Sequence, residues 1–245
     1  LLYIYMNFKI NVNYWSNFMI MVAIINVLII SLVFTNVNSN FEMKLFILAF
    51  IFVCVNAIRS IWLRQDTKRL CIFDSIMSSP LIGRIITTVS ELAFVALVIL
   101  VVKQIVNRGN HNPVLNLALN MIFVIILVAE VFCWTGCLST NQFWNMLEES
   151  SWTLSSIILT IIMVILFINE KNTTITRFLY VAILATIIYE VFMIKVDIPM
   201  YYNRAGNVTP ESKTMSLFEK IHDMFKCKKI SKTNEDWDEE IPWMT

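Results

Sequence analysis

Hydrophobic residues run along this chain in six long, nearly unbroken blocks: Phe18 to Phe34, Leu45 to Leu63, Ile85 to Val102, Leu115 to Trp134, Trp152 to Ile168 and Phe178 to Ile194. Each block is 17 to 20 residues long, the length at which an α-helix crosses the hydrocarbon core of a bilayer. Polar residues do not alternate with apolar ones inside the blocks, as they would in a barrel strand. Only a helix satisfies its own backbone in lipid, so the pattern predicts an all-α polytopic membrane protein with six transmembrane helices. All five prolines and all four glycines fall outside the six blocks, and continuous, unkinked helices are therefore expected.

Composition agrees with the pattern. Of 245 residues, 58% are hydrophobic and 15% charged, with a mean hydropathy of +0.68. A soluble domain is nearer half apolar and a quarter charged, so a soluble enzyme and a disordered chain are excluded. A net charge of +1 offers no basic face for phosphates and excludes a nucleic-acid partner. The first block has no basic cluster before it and no small-residue cleavage site after it, and so reads as a membrane helix rather than a signal peptide. Met6 offers a start after Leu1, and the apolar string Ile241 to Thr245 reads as the lip of a further span. A fragment of a seven-helix bundle is thus kept as an alternative.

Two segments divide the chain: a helical bundle over 1–199 and a polar piece over 200–245. Within the latter, Leu217, Phe218, Ile221, Met224 and Phe225 recur at helical spacing among lysines, which predicts an amphipathic helix over 213–229. Such a helix suits an anionic membrane surface or packs on the protein's own loops. The acidic run Glu235, Asp236, Asp238, Glu239 and Glu240 reads as solvated linker. Loop charge orients the bundle: eight basic residues flank the spans on the side of the amino terminus, second loop and tail, against five opposite. The positive-inside rule then expects both termini of this chain in the cytosol. In the second loop Arg64, Lys68 and Arg69 read either as a headgroup patch or as the ordinary basic flank of a span. Two glycosylation sequons begin at Asn172 and Asn207.

Five cysteines, without a CxxC pair or even spacing, suggest no disulfide framework. Cys133 and Cys137 share a helix face, but the only histidines, His111 and His222, lie in distant segments, so neither a metal site nor a cofactor is expected.

Charged groups inside the blocks carry the functional information, because each costs roughly 2.5 to 3.5 kcal/mol at mid-membrane. Three glutamates accept that cost. Glu91 comes early in the third block, whereas Glu130 and Glu190 come late in the fourth and sixth. Asn56 and Arg59, late in the second block, complete a set that alternating helix directions place in one half of the membrane. Thr87 stands one turn and Arg84 two turns before Glu91 on the same face, and Tyr189 adjoins Glu190. Three readings follow. The first is a carrier, channel or receptor-like protein binding a small cation or other ligand among these carboxylates. The second is a membrane-embedded enzyme acting on lipid, disfavoured because no HExxH, GxSxG or histidine-rich set is present. The third is a non-catalytic assembly protein. Against all three stands a purely structural ion-pair lock between the arginines and the glutamates. The bilayer itself is the one partner common to every reading.

Overall fold

The computed structural model describes residues 11–108, 112–205 and 215–237. Its main elements are α1 (Val12–Phe34), α2 (Asn40–Ile61), α3 (Pro80–Arg108), α4 (Pro113–Ser139), α5 (Gln142–Asn169) and α6 (Thr173–Phe192). A π turn, Met193–Asp197, joins α6 to α7 (Ile198–Arg204). Among the described residues, six helices are long and apolar enough to cross a membrane, the sixth running from Thr173 to Arg204. The chain is an all-α, multi-pass membrane protein.

Every spanning helix begins before its apolar block, because polar residues just outside the block cap it. Ser39 and Glu42 form a reciprocal capping box at α2. Asn11, Asn112, Asn141 and Asn172 each accept backbone N–H groups at the start of a helix. Pro80 and Pro113 occupy first helical positions, where no N–H is needed. The extension also corrects the expectation of glycine- and proline-free helices. Gly83 and Gly136 lie inside α3 and α4, and Pro199 lies inside the sixth spanning helix. Pro199 cannot donate to the carbonyl one turn before it. The helix widens immediately ahead of it, where the Ile198 N–H reaches back to Met193 O.

The described chain forms two compact units. The first comprises residues 11–94, 137–140 and 215–237, and the second residues 95–108, 112–136 and 141–205. In the second unit Ile105 of α3, Met163 of α5 and Leu179 of α6 form one buried cluster, with Leu159, Leu166 and Ile183 around them. Apolar residues elsewhere on the helices stay exposed at turn spacing, as Ile24, Leu28 and Leu32 do on α1. Water would not tolerate such stripes; lipid does.

In the first unit α1 and α2 pair as an antiparallel hairpin, and an extramembrane knot closes beside them. Strands β1 (Arg64–Gln65) and β2 (Leu70–Cys71) form a hairpin, and β3 (Lys229–Ile230) from the tail adds to it in parallel, setting Cys71 opposite Ile230. A short helix, α8 (Leu217–Asp223), precedes β3, and α9 (Asn234–Trp237) follows it. Trp237 is fully buried against Val12, Leu63, Leu70 and Ile72. Asn234 Oδ1 accepts the Val12 N–H at 2.9 Å. The central post is Arg69, 2% exposed, which lies in the left-handed region at φ 52°. Its guanidinium donates to Asp223 at 3.0 Å, to Asp66 O at 2.5 Å and to Cys137 O at 2.9 Å. The last of these satisfies an orphan carbonyl at the end of α4. Cys71 and Cys227 are joined by a disulfide.

The knot revises several expectations. The helix expected over 213–229 is confined, among the described residues, to Leu217–Asp223. It stops because Met224 is buried and its carbonyl accepts Leu81 N and Ser79 Oγ, after which the chain turns into β3. Leu217, Phe218, Ile221 and Phe225 remain exposed. Glu235 and Asp236 belong to α9 rather than to a solvated linker, and 238–240 lie outside the described residues. The expectation of no disulfide fails, because chain topology rather than cysteine spacing brings Cys71 and Cys227 together; Cys54, Cys133 and Cys137 stay free. Of the three basic residues read as a headgroup patch, Arg69 is consumed inside the knot and Arg64 lies against Gly83 with Asp66 at 2.9 Å. Lys68 alone keeps an exposed side chain.

Two outcomes are expected of the knot. With the disulfide reduced, Arg69→Met leaves Asp223 only the exposed Lys228 and orphans the Cys137 carbonyl, and should loosen tail docking by about 2 kcal/mol, read as faster proteolysis at Lys228 and Lys229 while the six spans stay membrane-integrated. Asp236 is held down at about 2, first by the hydrogen bond from Lys229 and then by hydroxyls of Ser231 and Thr233. A depressed carboxylate stabilises above its unfolded value and loses that contribution as pH falls through its folded one. Pepsin cleavage beside Trp237 in the reduced protein should therefore rise as pH falls from about 4 to about 2.

Candidate functional site

The first unit gathers five of the candidate residues at the end of α2 and the beginning of α3. Helical register places Arg84, Thr87 and Glu91 on one face. Arg84 Nη2 donates to Glu91 Oε2 at 2.6 Å, and Arg59 Nη1 stands 4.0 Å from Glu91 Oε1. Asn56 Nδ2 donates to Phe52 O at 2.8 Å within α2 and to Ser90 Oγ at 3.3 Å on α3. Phe52 and Phe94 stack above them with centroids 4.9 Å apart. Arg64 and Asp66 lie within electrostatic reach of Arg59. Thr87 is buried in the same face, 1% exposed.

One carboxylate between two guanidiniums has a clear chemical meaning. Its charge is already compensated, and an incoming cation would meet Arg59 and Arg84 first. Arg84 and Glu91 pair within α3, and the links across to α2 include the 4.0 Å Arg59–Glu91 pair and the Asn56–Ser90 hydrogen bond. Sequence spacing anticipated this pairing, but not Ser90, whose place one residue before Glu91 directs it towards α2.

The second unit holds a different arrangement. Glu190 Oε1 accepts the Thr160 hydroxyl at 2.7 Å and the Ser156 hydroxyl at 3.0 Å. The Thr160 and Thr186 hydroxyl oxygens are 2.8 Å apart. Ser156 and Thr160 are one turn apart on α5, and Thr186 and Glu190 are one turn apart on α6, so two helices each contribute a polar pair to one point. Glu190 forms no ion pair with any described residue. Tyr189, beside it, lies within electrostatic reach of Glu148, Glu149 and Asp197. The same three carboxylates lie within electrostatic reach of Tyr201. Glu148 and Asp197 are 5% and 6% exposed. Arg204 is the opposite charge nearest in effect to Asp197. Glu130 is also buried, on α4, and is not among the hydrogen-bonding partners of Glu190.

Several of these residues escape a reading by apolar blocks. Asp197 and Tyr201 lie beyond Ile194, where the sixth block ends, and enter the helix only because it continues through the π turn. Glu148 and Glu149 read as loop, yet belong to α5. Ser156 and Thr160 carry a legible signal, hydroxyls four residues apart within an apolar block. Among the described residues no group of three or more His, Cys, Asp or Glu side chains is placed to hold a metal ion. Set against protein-family models, curated proteins and solved structures, the chain matches none.

Glu91→Gln keeps the shape of the side chain and removes the charge that compensates Arg59 and Arg84. Breaking a fully buried pair costs about 3 to 5 kcal/mol, and with Glu91 21% exposed a loss of about 2 to 3 kcal/mol is expected. A melting comparison in detergent should show the variant several degrees below the parent.

Proposed function

We propose that this multi-pass membrane protein is carrier- or receptor-like and takes a small cation at Glu190. Arg59, Arg84 and Glu91 form a structural clamp in this reading, and Asn56 and Thr87 line it. Tyr189, within electrostatic reach of Glu148, Glu149 and Asp197, lends the site a polar edge.

The observation that carries the proposal is the setting of Glu190. Its carboxylate accepts two hydroxyls from a neighbouring spanning helix and has no ion-pair partner among the described residues. Hydroxyl oxygens can turn from donating to the carboxylate to coordinating a bound cation. A carboxylate placed so within a membrane span serves to bind a cation or to exchange a proton. A lipid-modifying reaction draws less support, since the arginines that would orient a headgroup share Glu91.

Glu190→Gln tests the reading. Gln keeps an acceptor for Ser156 and Thr160, so stability should change by less than about 1 kcal/mol. Sodium, potassium or tetraethylammonium should raise the melting temperature of the parent protein in detergent at constant ionic strength, with one of the three most effective, and the variant should lose that response. Equal responses in parent and variant, or none in the parent, would reject Glu190 as the site.

A further inference from the structure

We infer that the knot of hairpin and tail faces an oxidising compartment, so that both ends of the chain lie on the exoplasmic side of the membrane and Cys71 is oxidised with Cys227 there.

Cys71 and Cys227 are 156 residues apart in sequence, with Cα atoms at 6.1 Å. Independent contacts bring them together. The parallel pairing of β2 with β3 and the Arg69–Asp223 pair hold the tail against the hairpin, and the bonds from Leu81 N and Ser79 Oγ to Met224 O hold it against the start of α3. The other three cysteines, Cys54, Cys133 and Cys137, lie within spanning helices. Both cysteines outside the spans are therefore the two that pair. Disulfides of this kind persist where the medium is oxidising, and the cytosol keeps thiols reduced.

Loop charge argues weakly the other way. Its margin is eight to five, and around the first span, which usually dominates insertion, the tally is Lys9 against Lys44. A balanced first span leaves orientation open to the rest of the chain. The disulfide is the more direct indicator of the compartment.

The chemistry is an ordinary exchange. Cys227, the more exposed of the two, attacks as thiolate the disulfide of an oxidised dithiol oxidoreductase. The Cys71 thiolate then displaces the second catalyst sulfur. Two S–H bonds are lost and one S–S bond forms in this chain. The catalyst's disulfide takes up the two electrons and becomes a dithiol.

The test uses the full chain, translated with microsomes, with one glycosylation acceptor appended about twenty residues past Thr245, beyond the reach limit set by the membrane surface. Asn172→Ser, which preserves a capping oxygen, and Asn207→Gln remove the natural sequons. A thiol-reactive polymer then counts free cysteines under denaturing conditions before and after reduction. The expected result is a glycosylated tag, with three thiols reactive before reduction and all five after it. An unmodified tag overturns the orientation. Five reactive thiols before reduction overturn the disulfide. Either result rejects the inference.

Discussion

Charge compensation without water governs this structure. A bilayer supplies no solvent for a carboxylate or a guanidinium, so each must find its partners in the chain. The two units meet that demand in different ways. In the first, Glu91 is answered by Arg84 on its own helix and by Arg59 from α2. In the second, Glu190 is answered by the hydroxyls of Ser156 and Thr160, which soften its charge without cancelling it. The first solution leaves little for a ligand to add. The second leaves a carboxylate with no opposite charge among the described residues, and the proposed cation site rests on it.

Outside the membrane the same logic takes a soluble form. Arg69 is buried as thoroughly as any core residue, and three acceptors justify it: Asp223 from the tail, Asp66 O from its own turn, and Cys137 O from the end of a spanning helix. A two-stranded hairpin is marginal alone. The third strand, the buried Trp237 and the disulfide give this one a fixed shape, and they fasten the tail beside the start of α3.

The spans were legible because their signal is long and local: apolar length alone identifies each one. The Arg84–Thr87–Glu91 stripe and the Thr186–Glu190 pair were legible too, since helical spacing is arithmetic. What stayed hidden depends on contacts remote in sequence. Nothing near Cys71 announces Cys227, and nothing near Arg69 announces Asp223. The amphipathic spacing over 213–229 suggested one helix, but Met224 is drawn into the knot and ends it. Asp197 and Tyr201 were missed for a different reason. Their segment is too polar to count as hydrophobic, and it is helical only because a π turn accommodates Pro199. The glutamates looked alike in sequence, and only their partners separate a clamp from a candidate site.

The division of labour between Glu91 and Glu190 is the central claim, and infrared difference spectroscopy addresses it most directly. Spectra of the reconstituted protein recorded with and without the cation that best raises its melting temperature report on carboxylates whose environment changes. The account predicts a carboxylate band that shifts on cation addition, disappears in Glu190→Gln and survives in a Glu91→Gln variant kept folded at low temperature. A band that persists without Glu190 and vanishes without Glu91 would contradict it.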